Sequence, residues 1–133
     1  MTAHIEHLEG TAFQKSRAFS PAVITHGGKT VWLAGQTATV DENGKDISGD
    51  FEGQARTIFT LIDKTLHRAG GSLANLVTMT VFINDPRLGD KFVEMRAGFF
   101  PSGNFPASAL ITVANFARPG MLIEIQGVAV IGG

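Results

Sequence analysis

The sequence has no cysteine. Disulfides, thiolate nucleophiles and thiolate metal sites are therefore excluded. Charge is also scarce, at 17% of residues, with 11 basic against 12 acidic side chains and a formal net charge of −1. No basic run stands out, and a nucleic-acid partner would need one to displace phosphate counterions. No apolar run approaches the ~18 residues of a membrane span. The first ten residues, MTAHIEHLEG, lack the basic-then-apolar order of a signal peptide. These absences lead us to expect a soluble, cytoplasmic chain with no membrane partner, no nucleic-acid partner and no cofactor.

What the chain has is apolar mass, 44% of its 133 residues. One domain of this size buries about two thirds of the surface that its unfolded chain exposes. That leaves more apolar surface than one small core readily hides. A homo-oligomer that buries the second face of a sheet would account for the excess.

Periodicity gives the elements. His4 to Leu8 reads as a short edge strand. Ala22–Ile24 and Thr30–Ala34 flank His26-Gly27-Gly28 as a hairpin would, and Thr37–Val40 stays extended up to the turn Asp41-Glu42-Asn43-Gly44. A helix is predicted from about Asp50 to Arg68, capped by Ser48 or Asp50 and stopped by Gly70-Gly71. Its apolar stripe is Phe51, Ala55, Ile58, Ile62, Leu66 and Ala69. Leu76–Ile83 reads as a strand, and Leu88–Phe100 as a second helix with Leu88, Phe92, Met95 and Phe99 inward. Ala107–Ala114 and Leu122–Val130 read as two further strands joined by a turn. The order is β-β-β-α-β-α-β-β, and two helices can cover only one face of such a sheet.

The last strand alternates in an informative way. Ile123, Ile125, Gly127, Ala129 and Ile131 share one face, suited to lie under helices. Leu122, Glu124, Gln126, Val128 and Val130 share the other, which then lacks an intramolecular cover. A carboxylate amid a buried strand is costly unless hydrogen-bonded or put to use. Glu124 is therefore the first candidate for chemistry, its alternative being a structural carboxylate across an interface.

Several short pieces then fit one pattern in order and spacing: Ala34-Gly35-Gln36, Gln54-Ala55-Arg56, Ala69-Gly70, Val81-Phe82-Ile83-Asn84-Asp85, Phe99-Phe100, Pro106-Ala107 and Ile123-Glu124-Ile125. Over nearly its whole length the chain resembles the RidA/YjgF family of enamine/imine deaminases. The resemblance implies an α+β, chorismate-mutase-like single domain over residues 1–133. It further implies a mixed β-sheet covered on one face by two helices, and a homotrimer with ligand clefts between subunits. The implied activity is hydrolysis of a small enamine or imine, such as 2-aminoacrylate, to a carbonyl compound and ammonia, with Glu124 positioning or activating water.

The match has departures. Ser108 stands where the family's Pro-Ala-Arg-Ser motif carries the arginine that grips a substrate carboxylate. Phe19 replaces an aromatic hydroxyl, Ala34 the serine of Ser-Gly-Gln, and Val93 a cleft asparagine. Backbone N–H groups near Ala109 and Leu110 remain able to hold a carboxylate. Such a chain suits a divergent subfamily and a substrate other than aminoacrylate, of aminomuconate type for example. A non-catalytic small-metabolite-binding or regulatory trimer is the rival reading.

The remaining candidates have plain readings beside the functional ones. Arg96 and Arg118 could restore the missing charge, but a solvated surface arginine is the simpler assignment for each. Ser108 has no base partner for acyl-enzyme chemistry, so it either hydrogen-bonds a ligand or leaves room for one. Gln126 would extend a network from Glu124 or serve as an interface amide. Phe19 and Trp32 could wall a cleft, with core packing the simpler role for Trp32. His4, His7, His26 and His67 form no convincing metal constellation. A ribonuclease, a reading attached to some relatives of the family, is disfavoured by the acidic balance and by the absence of a histidine pair within reach.

Overall fold

A computed structural model describes residues 2–132. The elements are β1 (His4–His7), α1 (Ala12–Ser16), β2 (Val23–His26), β3 (Lys29–Trp32), α2 (Phe51–Arg68), β4 (Leu76–Ile83), α3 (Gly89–Phe99), β5 (Ala107–Thr112) and β6 (Ile123–Ile131). Asp50 caps α2, its side chain accepting from the Gly53 N–H at 3.0 Å. A cap of this kind contributes roughly 1 kcal/mol.

The apolar stripe predicted on α2 is buried from Phe51 to Leu66. Phe59, outside that stripe, is buried as well. It stacks on Phe99 at 4.3 Å and on Phe92 at 6.1 Å and meets Phe100 edge-on at 6.3 Å. α2 packs against both β6 and α3, so its buried arc is wider than one stripe.

β3, β6, β4 and β5 form the main sheet in that order. β6 runs antiparallel to both its neighbours, and β4 and β5 are parallel, with α3 supplying the crossover that parallel strands require. Two expectations change here. β5 and β6 are not neighbours, because β4 lies between them; the segment 113–122 crosses over instead of turning tightly. β2 pairs only with β1, and β3 only with β6. Gly27 and Gly28, with φ of 68° and 73°, therefore lead the chain from a two-stranded ribbon into the main sheet rather than closing a hairpin. The five-residue α1 was not foreseen. It is too short to show periodicity, and only its capping box, Thr11 with Gln14, marks it.

The two faces of β6 divide as the alternation predicts. Ile123, Ile125, Gly127, Ala129 and Ile131 are buried, while Glu124 and Val128 are partly buried and Gln126 is exposed. Val130 departs from this and is buried too. A bulge between Leu76 and Thr78 shifts the phase of β4, so Leu76 is buried along with Met79, Val81 and Ile83 while Val77 is only partly buried. Trp32 is 79% exposed, which rules out the core role assigned to it: it stands on the face that no helix covers. Among the described residues no helix is long and apolar enough to cross a membrane.

Candidate functional site

Glu124 is placed by two strands at once. On β6 it lies opposite Phe82 of β4. On its other side the chain beyond β3 rejoins β6 at Gln36, whose N–H donates to the Ile125 carbonyl at 2.8 Å while the Ile125 N–H donates back at 3.1 Å. Gly35 is thereby held against the Glu124 carboxylate, so closely that a Cβ at this position would overlap it. The glycine permits that approach.

Glu124 lines a shallow recess with Phe82, Val113, Asn115, Phe116 and Ala117, and forms no ion pair among the described residues. One buried amide anchors the loop bearing four of those walls. Gln54, fully buried on α2, donates to the carbonyls of Ile47 at 2.9 Å and Gly120 at 2.6 Å, and accepts from the Leu122 N–H at 2.9 Å.

A second recess, of about 160 Å³, lies among α1, α3 and the start of β5. Phe19, Val93, Arg96, Ser108 and Leu110, all singled out in the sequence, meet there, together with Phe13 and Arg17 of the α1 segment. Arg96 is only 2% exposed, so the surface reading given to it does not hold. It donates to the Ser108 hydroxyl at 2.7 Å and to the Arg17 carbonyl at 2.8 Å, and its guanidinium lies 5.1 Å from the centre of the Phe92 ring. Burial, and secondarily the nearby Arg17 charge, pull its pKa down to about 10. Its Nε is buried without a partner. No carboxylate pairs with it among the described residues, and Asp90 of α3 is paired with Arg17 at 2.7 Å.

The other candidates lie elsewhere. Ala34 is exposed beside Gly35, and Ala109 is exposed on β5. Gln126 belongs to a neighbouring recess with Trp32, Thr78, Thr80 and Val128, so it does not continue a network from Glu124. Arg118 is exposed on the 113–122 segment, away from Ser108. His26 is no turn residue: it ends β2 opposite His4, the two rings 6.5 Å apart, so a histidine pair does exist. No three His, Asp or Glu side chains among the described residues converge to hold a metal ion.

Sequence reasoning missed Gly35, Phe13 and Arg17 as parts of these recesses. It could have found the depth of Arg96, because Phe92, Val93 and Arg96 fall on one face of a helix.

A mixed sheet covered on one face by two helices, with a glutamate on the uncovered face, defines the RidA-type α+β class. Comparison with known proteins agrees. The family model described as Endoribonuclease L-PSP matches residues 9–131. A RutC family protein of Pyrococcus horikoshii is 29% identical over 77% of this chain and 79% of its own length. The crystal structure of Rv2704 from Mycobacterium tuberculosis, described as a member of the YjgF/YER057c/UK114 family, is 26% identical, covers 96% of this chain with all of its own, and superposes with a TM-score of 0.67. That of YyfB from Yersinia pestis, described as of unknown function in the Rid family, is 24% identical, covers 98% of this chain with all of its own, and reaches 0.83. The chain belongs to the Endoribonuclease L-PSP family, that is, the RidA/YjgF family.

Proposed function

We propose that this protein hydrolyses a small enamine or imine to the carbonyl compound and ammonia, in a cleft that forms between subunits of a homotrimer. The observation that carries the reading is the Glu124 carboxylate, free of any ion pair among the described residues and seated against Gly35 on the face no helix covers. An enamine first takes a proton on carbon and becomes an imine. Water directed by Glu124 then adds to the imine carbon, the carboxylate accepting a proton from that water and returning it to nitrogen. The C–N bond breaks, and a carbonyl and ammonia leave. Such proton transfers contribute about 10²–10⁴-fold each.

Within one chain Glu124 and the recess of Ser108 lie on opposite sides of the sheet, since alternate residues of a strand face opposite ways. A second copy set against the uncovered face would bring the two together. The backbone from Ser108 to Leu110 would hold the substrate carboxylate and Phe19 would shape the pocket. The test is ammonia release from freshly generated 2-aminoacrylate and from 2-aminomuconate. Release from either, lost in the Glu124→Ala protein, supports the reading. No release from both, with Glu124→Ala indistinguishable from wild type, ends it.

A second reading has its own support. Ser108, Phe19 and Ala34 replace the polar groups of the family's cleft, which suits a binder of small metabolites without turnover. A metabolite screen by thermal shift separates the two: a ligand at a hundred times its Kd adds about 2.7 kcal/mol of stability, and stabilisation without turnover favours the binder. An RNA-cleaving role, which the family's description would suggest, finds no basic footprint in a chain of net charge −1.

A further inference from the structure

A third recess, of about 210 Å³, opens where β1 passes the end of α3. It shares no residue with the recess of Ser108 or with that of Glu124. Its walls are apolar. Phe99 and Phe100 stand at the end of α3, Pro101 follows them, and Ala74 joins them from the short 3₁₀ turn Leu73–Asn75. These walls are set before any ligand arrives. Phe59 stacks on Phe99 at 4.3 Å and meets Phe100 edge-on at 6.3 Å. Beyond them the Gly103 N–H donates to the Phe100 carbonyl at 3.0 Å, and the Asn104 N–H donates to the Ser102 hydroxyl at 3.3 Å. A preformed recess costs its ligand little in protein ordering. An apolar cavity of ~150 Å³ already holds a benzene ring, so there is room here for one ring with a small substituent.

The polar side of the recess is His7 of β1. Its Nε2 is closed off from solvent and has no hydrogen-bond partner among the described residues. A ring nitrogen in that state is costly, and a hydrogen bond to an occupant removes the cost. Imidazole turns easily about its Cβ–Cγ bond, so a small rotation presents the nitrogen to the recess. Burial also holds the His7 pKa below its ordinary value, which keeps the ring uncharged at neutral pH. The other polar lining residues, Ser102 and Asn104, carry no charge either. A charged ligand would therefore find no counter-ion among the lining residues. A hydroxyl suits the site better, because it can donate to Nε2 or accept from it, whichever tautomer is present.

We infer that this recess binds a small uncharged aryl alcohol, its ring against Phe99, Phe100 and Pro101 and its hydroxyl on His7 Nε2. The inference stands whether or not the chain is a deaminase. The segment 100–106 runs from this recess into β5, tied down where the Ser20 hydroxyl donates to the Phe105 carbonyl at 2.6 Å. An occupant would therefore bear on the approach to Ser108 from outside that residue's own recess.

Side-chain nitrogen NMR of the full-length protein at neutral pH tests it with three probes: phenol, toluene and benzoate. Phenol stays uncharged there, since a phenolic hydroxyl titrates at about 10. It should move the His7 Nε2 resonance saturably and bind about tenfold or more tightly than toluene, which leaves that nitrogen unpaired. Benzoate should leave the resonance in place. In His7→Leu, followed at the Ala74 and Ser102 amides, toluene should still bind and the preference for phenol should vanish. Ala74→Phe, a change at an exposed position that fills the recess, should abolish the phenol shift of His7. This second variant decides the matter should His7→Leu fail to fold. No saturable phenol shift, equal affinity for phenol and toluene in the wild type, or a benzoate shift matching that of phenol would overturn the inference. So would phenol binding unchanged in Ala74→Phe, or the same preference for phenol in His7→Leu.

Discussion

Among the described residues, an acid on the uncovered face of the sheet has no paired cation, and a guanidinium buried under α1 has no paired acid. The first group is on the central strand, open to solvent and fixed by backbone approach at Gly35. The second hangs from a helix and is fixed by hydrogen bonds to Ser108 and Arg17. Neither recess alone has what imine hydrolysis needs, which is a grip on an anion and a proton carrier near the same carbon. The contrast teaches that the proposed reaction would need two recesses of this chain at once, and so copies brought together.

The comparison can be broken most severely at its acid. Glu124→Gln should reduce ammonia release about 10²–10⁴-fold and leave the denaturation midpoint close to wild type, since the carboxylate makes no ion pair among the described residues. A large loss of stability with activity retained would make Glu124 a structural group. Gly35→Ala should come next. The new methyl group displaces the carboxylate, and a shift of about 1 Å can cost on the order of 10²-fold. Ammonia-release kinetics alongside the denaturation midpoint would show whether the acid alone is affected.

The long elements of this fold were legible because their periods repeat: α2, α3, β4 and β6 each lie where alternation or a helical stripe puts them. Which strands neighbour one another was not legible. β6 slides between β3 and β4, and nothing local in Ala107–Val130 distinguishes that arrangement from a hairpin of β5 with β6. The site divides in the same way. Phe19, Val93, Ser108 and Leu110 converge as the motifs suggest. Arg96 was assigned to the surface because arginines usually are exposed, although its helical phase with Phe92 and Val93 says otherwise. Phe13 was invisible, since five residues of helix show no stripe.

A smaller effect sharpens the acid side. Gln54→Ala leaves the Leu122 N–H without its acceptor and frees the Ile47 and Gly120 carbonyls. Stability should fall by about 1–3 kcal/mol in chemical denaturation, with the walls of the Glu124 recess loosened and the Arg96 recess intact.

The smallest effect lies on the basic side and depends on pH. Burial pulls the Arg96 guanidinium down to about 10 in the folded chain, below its ordinary range. Below 10 both states hold the proton and the full cost of the buried charge is present. Above about 10 the unfolded chain still holds a proton that the folded chain has released, so this cost is relieved as pH rises through that region. The wild type should therefore gain on Arg96→Met across that window, by at most about 1.4 kcal/mol per pH unit. Parallel denaturation series at pH 9 and pH 11 check this, and a constant difference would contradict it.

The strand at the centre of the sheet is the last of the six in chain order. Until it arrives, β3 is separated from β4 and β5, and both of the edges that it will fill stay open. A nascent or refolding chain therefore completes its architecture late, through contacts between residues about a hundred positions apart, such as Lys29 with Ile131. Folds dominated by such distant pairings form slowly and expose sticky edges while they wait. Substitutions in β6 that weaken its insertion should therefore lower the yield of folded protein more than its final stability would suggest.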